Sequence, residues 1–498
     1  MVVARLRRPV VDQSGEERSA ARVRSLPWWK SWGIGCAALL VVGLLSACGG
    51  PPAPDLRALY GRAARTHDDL RNPVILIPGL MGSRLAGADG ATVWGRLRDS
   101  DAADPNHPDG ARRFALPMAE GVPLSALRDS VRAVGPVDQL EIEIMGMAIA
   151  FDAYVDILDA LGVGGYRSRR SSEPGDLDYG PDHFTCFEFD YDWRRSNVDN
   201  ARRLHAFMTE RKEDVEREIE RRYGVTDHEV RFDIVAHSMG ALLTRYYLRY
   251  GDAPLPAEGE VPPPTWAGAE LVERAVLVAP PNAGAPQALQ DLLHGKDLGF
   301  LLPHYPPALL GTLPSAYEML PRPRHRRVVE EADEPIDALY DIDTWNERGW
   351  GLADPGQDEV LRRLLPEVED ASARRRIALD HLEKCLRNAE RFALALDRPA
   401  SPPPELRIDL IAGDAHPTPS RVRIVDGEIE ILDRAPGDGT VLRASALMDE
   451  RVGGEWQTRL VSPIAWQQVV FLTSSHIELT QDPAFIDNLL FTLMEAPR

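Results

Sequence analysis

From Pro73 onward the chain alternates short unbroken apolar runs with stretches in which apolar residues recur every three or four positions. Unbroken runs suit strands buried on both faces, and the recurring pattern suits helices that cover them, so the order predicts a mainly parallel sheet flanked by helices. The strand candidates are Val74 to Ile77, Phe184 to Phe189, Phe232 to Ala236, Ala275 to Ala279, Arg407 to Ala412 and Val469 to Thr473. Residues 199–223 place Leu204, Phe207, Met208, Val215 and Ile219 at helical spacing, with Arg and Glu on the remaining face. A second helix runs from about Gly240 to a stop at Gly251, and a last one from Phe485 to Met494. Residues 78–183 give mixed signals, and the acidic, proline-rich residues 252–268 read as a surface insertion. Residues 285–400 break the alternation and read as a helical cap inserted into the domain.

The N-terminus follows a different pattern. Arg5, Arg7, Arg8, Arg18, Arg22, Arg24 and Lys30 precede an apolar run from Ile34 to Leu45, and the run ends in Leu45-Ser46-Ala47-Cys48. A basic segment, a short apolar run and small residues before a cysteine read as an export signal over residues 1–47, because a membrane span needs ~20 apolar residues. The Leu-Ser-Ala-Cys order resembles a bacterial lipoprotein lipobox, in which cleavage before Cys48 and acylation of its thiol would anchor the chain to a membrane of the cell envelope. An uncleaved signal anchor is the alternative. Residues 48–72, rich in Gly and Pro at their start, suit a flexible tether, and residues 73–498 form the folded domain.

Charge narrows the partners. The 498 residues hold 57 Lys and Arg against 77 Asp and Glu, a net charge of −20. Loss of residues 1–47 removes seven basic and three acidic side chains and takes the net charge to −24. Such a body repels phosphate backbones, which argues against a nucleic-acid partner. It also repels anionic lipid, so membrane proximity would come from the tether. Four cysteines are too few for a disulfide scaffold. Cys36 lies in the signal segment and Cys48 directly follows it, and the others, Cys186 and Cys385, either pair or are buried free thiols.

Strand, then Ala236-His237-Ser238-Met239-Gly240, then helix is the setting of a nucleophile elbow, a sharp turn that presents one serine hydroxyl above a sheet. Small flanking residues are required where the helix start passes the strand end. Serine needs a base to take its proton, so a histidine and a carboxylate are expected later in the chain. His476 follows the last strand, whereas His237 should point away from the serine and His294, His304, His325 and His381 suit surface or lid roles in the cap. Asp414, directly after the fifth strand, and Asp438, in the turn Gly437-Asp438-Gly439-Thr440-Val441, are both candidates for the acid. Spacing does not choose between them, and Asp438 also suits a helix N-cap. A tetrahedral oxyanion needs donors; the amide of Met239 and one from Leu80 or Met81, in Pro78-Gly79-Leu80-Met81-Gly82, are placed to supply them.

At this point the residues resemble the lecithin:cholesterol acyltransferase-like α/β-hydrolases, a family that includes lysosomal phospholipase and phospholipid:diacylglycerol acyltransferase relatives. The pieces, in order, are residues 73–85, Tyr191-Asp-Trp-Arg194, Ala236 to Gly240, Ala279-Pro-Pro-Asn-Ala-Gly284, Gly437 to Val441 and Ser475-His476. The resemblance implies an α/β-hydrolase fold with an inserted cap or lid and a triad of Ser238, Asp438 and His476, which favours Asp438 over Asp414. It also implies an oxyanion hole at the backbones of Met81 and Met239, and a lipid acyl-ester hydrolase or O-acyltransferase, hence a phospholipid or other acyl-ester substrate, without metal or cofactor. The cysteine-closed loop of the animal members has no cysteines here, although Trp94 falls in the same region. A carboxylesterase for small soluble esters and a lipoprotein that binds lipid without catalysis are the competing readings. Leu289, Leu292, Leu293, Leu298, Phe300, Leu301, Leu302, Leu309 and Leu310 make an apolar stretch in the cap that suits either an acyl-chain site or packing of the cap on the core.

Overall fold

In the computed structural model the described residues are 55–66, 71–97, 104–137, 139–144, 147–152, 154–168, 185–297 and 303–496. Six strands form one sheet: β1 (Val74–Ile77), β2 (Cys186–Glu188), β3 (Phe232–His237), β4 (Val272–Val278), β5 (Arg407–Gly413) and β6 (Gln468–Leu472). Their order across the sheet is β2-β1-β3-β4-β5-β6 and every pairing is parallel. Successive side chains point to opposite faces. Ile75, Ile77, Ile234, Ala236 and Leu277 therefore enter one apolar cluster, and Val74, Leu76, Val235, Val276 and Val278 another.

Long helices cover the first face. α1 (Asn197–Tyr223) is capped by Ser196, whose side chain accepts the Val198 amide, and ends on Gly224 in the left-handed conformation. It buries Leu204, Met208, Val215 and Ile219 of the stripe expected from spacing, together with Val198 and Ala201, while Phe207 is only partly buried against the same cluster. α2 (Met239–Tyr250) follows β3 and is buried along its whole length. The second half of α3 (Ala371–Asp397) joins them through Phe392, Ala395 and Leu396. α4 (Pro483–Met494) packs with the helix Val155–Val163 on the other face.

The insertion between β4 and β5 is more closely integrated than a separate cap. Its own cluster contains Leu289, Leu292, Trp345, Trp350, Leu382 and Leu386, while Leu309 and Leu310 are buried in the sheet cluster. These leucines pack the cap on the core. Leu298, Phe300, Leu301 and Leu302 lie outside the described residues. Val422 and Ile424, from the hairpin His416–Val425 and Glu428–Gly437, complete the cap cluster. His325 and His381 are buried rather than on the surface, and burial pushes His381 down to about 4, its ring held against the Thr312 carbonyl at 3.1 Å.

Glu318 ties cap to core. Its buried carboxylate sits at the N-terminus of α1, taking hydrogen bonds from the Ser196 hydroxyl (2.6 Å), the Asn197 amide (2.9 Å) and side chain (2.7 Å), and the Asn388 side chain of α3 (2.7 Å). Burial pushes its carboxyl up to about 7, against the four donors that favour the charged form. A carboxyl whose folded pKa exceeds its unfolded value stabilises the fold at low pH, and this contribution is lost as pH rises from about 4.5 to about 7. The size is on the order of 3 kcal/mol. Thermal denaturation should show stability declining across that window, with a shallower decline in Glu318→Gln; equal slopes in the two proteins would contradict the assignment.

Within the segment expected as tether, Leu56–Ala64 is a helix, capped by the Asp55 side chain on the Ala58 amide. Tyr60 and Ala64 are buried, and the Tyr60 hydroxyl donates to the Asp487 carbonyl of α4 at 3.0 Å. Good helix formers in Leu-Arg-Ala-Leu, with an apolar face to bury, outweigh the nearby Gly and Pro. The folded body begins at Asp55 rather than Pro73. The signal segment, Cys48 and residues 49–54 lie outside the described residues, and among those described no helix is long and apolar enough to cross a membrane.

Candidate active site

Strand order reverses at β1, whose neighbours are β2 and β3, so the loops leaving β1 and β3 diverge and open a crevice at the strand C-termini. Ser238 sits there, at the end of β3. Its backbone has φ 52° and ψ −123°, a conformation that costs a non-glycine residue about 1–3 kcal/mol and that turns the side chain up between strand and helix. The Ser238 amide, donating to the Val278 carbonyl at 2.8 Å, fixes the turn to β4. Gly240 is required beside it, since a Cβ there would press into the carbonyls of Pro78 and Ile77.

Two loops converge on this serine. His476 Nε2 lies 3.0 Å from Ser238 Oγ, and His476 Nδ1 lies 2.7 Å from Asp438 Oδ2. The other carboxylate oxygen, Oδ1, accepts the amides of Thr440 (2.9 Å) and Val441 (2.6 Å), and the His476 amide donates to the Asp438 carbonyl at 3.0 Å. Burial works against the charged form of Asp438, but the His476 imidazole and the two amides outweigh it and hold the carboxyl below its usual range. Gly413 lets the loops meet: a Cβ on it would lie 2.7 Å from the Asp438 Cβ and 2.6 Å from the Ser474 carbonyl. Asp414 is not part of this cluster. It faces outward and pairs with Arg443 at 2.7 Å. Nor does Asp438 cap a helix, because the helix Arg443–Leu447 starts farther on, after Leu442.

The loop after β1 is held at four points by aromatic side chains. The Tyr191 hydroxyl donates to the Pro78 carbonyl (2.7 Å), Gly79 donates its amide to the Tyr154 hydroxyl (2.8 Å), the Trp94 indole donates to the Met81 carbonyl (2.7 Å), and the Trp193 indole to the Ser83 carbonyl (2.9 Å). Met81 is thereby kept at φ 63°. No acceptor takes the Met81 or Met239 amide among the described residues, so both donors are available to a bound oxygen. Next to Tyr191 and Trp193 in the chain, the fully buried Arg194 forks onto Asp192 at 2.9 Å and reaches Asp129 at 2.7 Å and the Phe114 carbonyl at 3.0 Å.

The Ala279–Gly284 segment plays a similar bracing role. Asn282 is buried, accepting from Arg245 of α2 (2.9 Å) and donating to the Ala446 carbonyl (2.7 Å), while Ser445 donates to the Gly284 carbonyl (2.7 Å). The stretch that begins at Asp438 is thus tied to the end of β4 and the start of the cap. His237 turns away from Ser238, as expected. Cys186 and Cys385 are both free and buried.

Sequence reading missed Tyr154 and Trp94 as contributors to the site. Tyr154 acts on backbone 75 residues away and Trp94 on backbone 13 residues away, and no local spacing announces either contact.

Residues 178–338 match the family described as lecithin:cholesterol acyltransferase; the match contains Ser238 and stops short of Asp438 and His476. The structure is similar to one from "The crystal structure of Tle4-Tli4 complex", at 15% identity and a TM-score of 0.52, over 85% of this chain and 98% of that one. Lipase 1 from Pelosinus fermentans aligns over 86% of this chain and 100% of its own at 12% identity, with a TM-score of 0.31, too low to bear on the fold. No curated protein sequence matches the chain. With a parallel sheet, a strained serine at its switch point and the family match around that serine, the chain has an α/β-hydrolase fold and is similar to the lecithin:cholesterol acyltransferase family.

Proposed function

We propose that the protein is a lipid acyl-ester hydrolase or O-acyltransferase that forms an acyl-enzyme on Ser238. The observation that carries this reading is the hydrogen-bond chain from Ser238 Oγ through His476 to Asp438, at 3.0 and 2.7 Å. With Nδ1–H donated to Asp438, Nε2 is left to accept the serine proton. Attack of Oγ on an ester carbonyl then gives a tetrahedral oxyanion, to which the Met81 and Met239 amides would donate. Collapse expels the alcohol, which takes the proton from His476, and leaves the acyl group on Ser238. Water or a second alcohol, deprotonated by the same imidazole, completes the turnover. Asp438 orients the ring and stabilises its charged form in both halves.

The proposed substrate is a phospholipid, with the family match in support. Anchorage through acylated Cys48 would keep a strongly anionic body at a bacterial membrane surface, and mass spectrometry of the mature N-terminus tests that part. The activity is tested by incubating the protein and Ser238→Ala with phosphatidylcholine vesicles, with and without a long-chain alcohol or sterol. Free fatty acid that depends on Ser238 is the hydrolase outcome, and new ester that grows with the acceptor is the transferase outcome. Ser238-dependent turnover confined to short soluble esters would replace the lipid substrate with a small one. No Ser238-dependent turnover of any ester would overturn the reading.

A further inference from the structure

We propose that Tyr154 and His237 are positioning residues that lock the loop carrying the Met81 amide to the loop carrying His476. The inference rests on the triad reading and extends it. Tyr154 Oη lies 2.8 Å from the Gly79 amide and 3.0 Å from His237 Nδ1, and His237 Nε2 lies 3.2 Å from the His476 carbonyl. Proton placement along this chain is fixed by chemistry. The Gly79 amide can only donate, so the tyrosine oxygen accepts from it and its own proton goes to His237 Nδ1. The His476 carbonyl can only accept, so His237 Nε2 carries the hydrogen. Every group has one partner of the right kind, in a single tautomer.

Three elements of the site are joined by this chain: the oxyanion loop at Gly79, the strand end that carries Ser238, and the main chain of the base itself. Both side chains are buried, at 6% exposure each, so water does not substitute for either partner. Neutrality matters as well. The His237 and His476 rings lie 5.0 Å apart, and burial together with the neighbouring His476 pushes His237 down to about 3. A neutral His237 adds no repulsion when His476 takes the serine proton. The order of contacts also explains why a histidine, with an acceptor on one side and a donor on the other, precedes the serine.

Turnover by the full chain, read as kcat and KM separately, tests the relay in three variants. Tyr154→Phe removes one oxygen. His237→Leu removes both hydrogen bonds while keeping bulk, and His237→Gln retains an amide that can accept from Tyr154 and donate to the His476 carbonyl. Tyr154→Phe and His237→Leu should each lose on the order of 10- to 100-fold in kcat, as misplacement of reacting groups does, with KM changed less than about threefold. His237→Gln should recover most of that loss. Unchanged kcat in Tyr154→Phe and His237→Leu would overturn the proposal, as would a loss in His237→Gln equal to that in His237→Leu, which would mean ring packing alone. If His237→Leu does not fold, Tyr154→Phe carries the same comparison with a smaller change. Absence of Ser238-dependent turnover in the unmodified protein would instead bring down the triad reading, and the relay with it.

Discussion

Replacement of Ser238 by alanine is expected to reduce ester turnover by roughly 10⁴- to 10⁶-fold, with substrate binding and thermal stability kept. In the proposed reaction the oxygen removed is the one that becomes acylated. His237 cannot stand in, because its two nitrogens are engaged by Tyr154 and the His476 carbonyl. Residual rate in the mutant would come from the amides of Met81 and Met239 and from substrate alignment. Alanine removes only Oγ from a backbone already held by the bond from the Ser238 amide to Val278, so the fold should tolerate the change. Steady-state turnover of one ester by both proteins, with circular dichroism as the folding control, is the required measurement. Retention of more than a hundredth of the activity would mean that the chemistry runs elsewhere.

The second large effect is expected from Asp438→Asn, a loss of about 10⁴-fold in kcat with the backbone unchanged. The reason lies in how the carboxylate divides its oxygens. Oδ1 accepts the Thr440 and Val441 amides, and Oδ2 faces His476 Nδ1. An asparagine keeps its carbonyl oxygen on the two amides and so turns its NH2 group toward Nδ1. The imidazole must then accept at Nδ1 and carry its hydrogen on Nε2, where it meets Ser238 and cannot take the serine proton. Asp414→Asn, at the exposed pair with Arg443, is the control and should leave kcat unchanged. Equal losses in the two variants would contradict the division of roles.

The parallel strands were legible because both faces are covered, which leaves unbroken apolar runs such as Val-Ile-Leu-Ile at Val74 to Ile77. Ser238 was legible for a related reason: the elbow compresses its requirements into five consecutive residues. Asp438 was not separable from Asp414 by spacing, since both follow β5, and only the bulk of the hairpin between them sends one inward and the other to Arg443. That hairpin was itself missed. Its turn, Asp426-Gly427, has positive φ at both residues, 50° and 83°, and sits between alternating Val422, Ile424, Ile429 and Ile431, a pattern that does signal a tight turn. The four aromatic clamps on the loop after β1 could not be read, because Trp94, Tyr154, Tyr191 and Trp193 find their partners through the tertiary fold alone. The helix at Leu56–Ala64 was hidden by the Gly- and Pro-rich residues before it.

The most direct measurement is the reaction of the protein with a fluorophosphonate, which is attacked by an activated serine and leaves a stable adduct, followed by peptide mass spectrometry. The expected result is one adduct per chain, on the peptide containing Ser238, with labelling abolished in Ser238→Ala and strongly slowed in Asp438→Asn. An adduct on another residue, or none on a folded protein, would contradict the assignment of Ser238, His476 and Asp438 as a working nucleophile, base and acid.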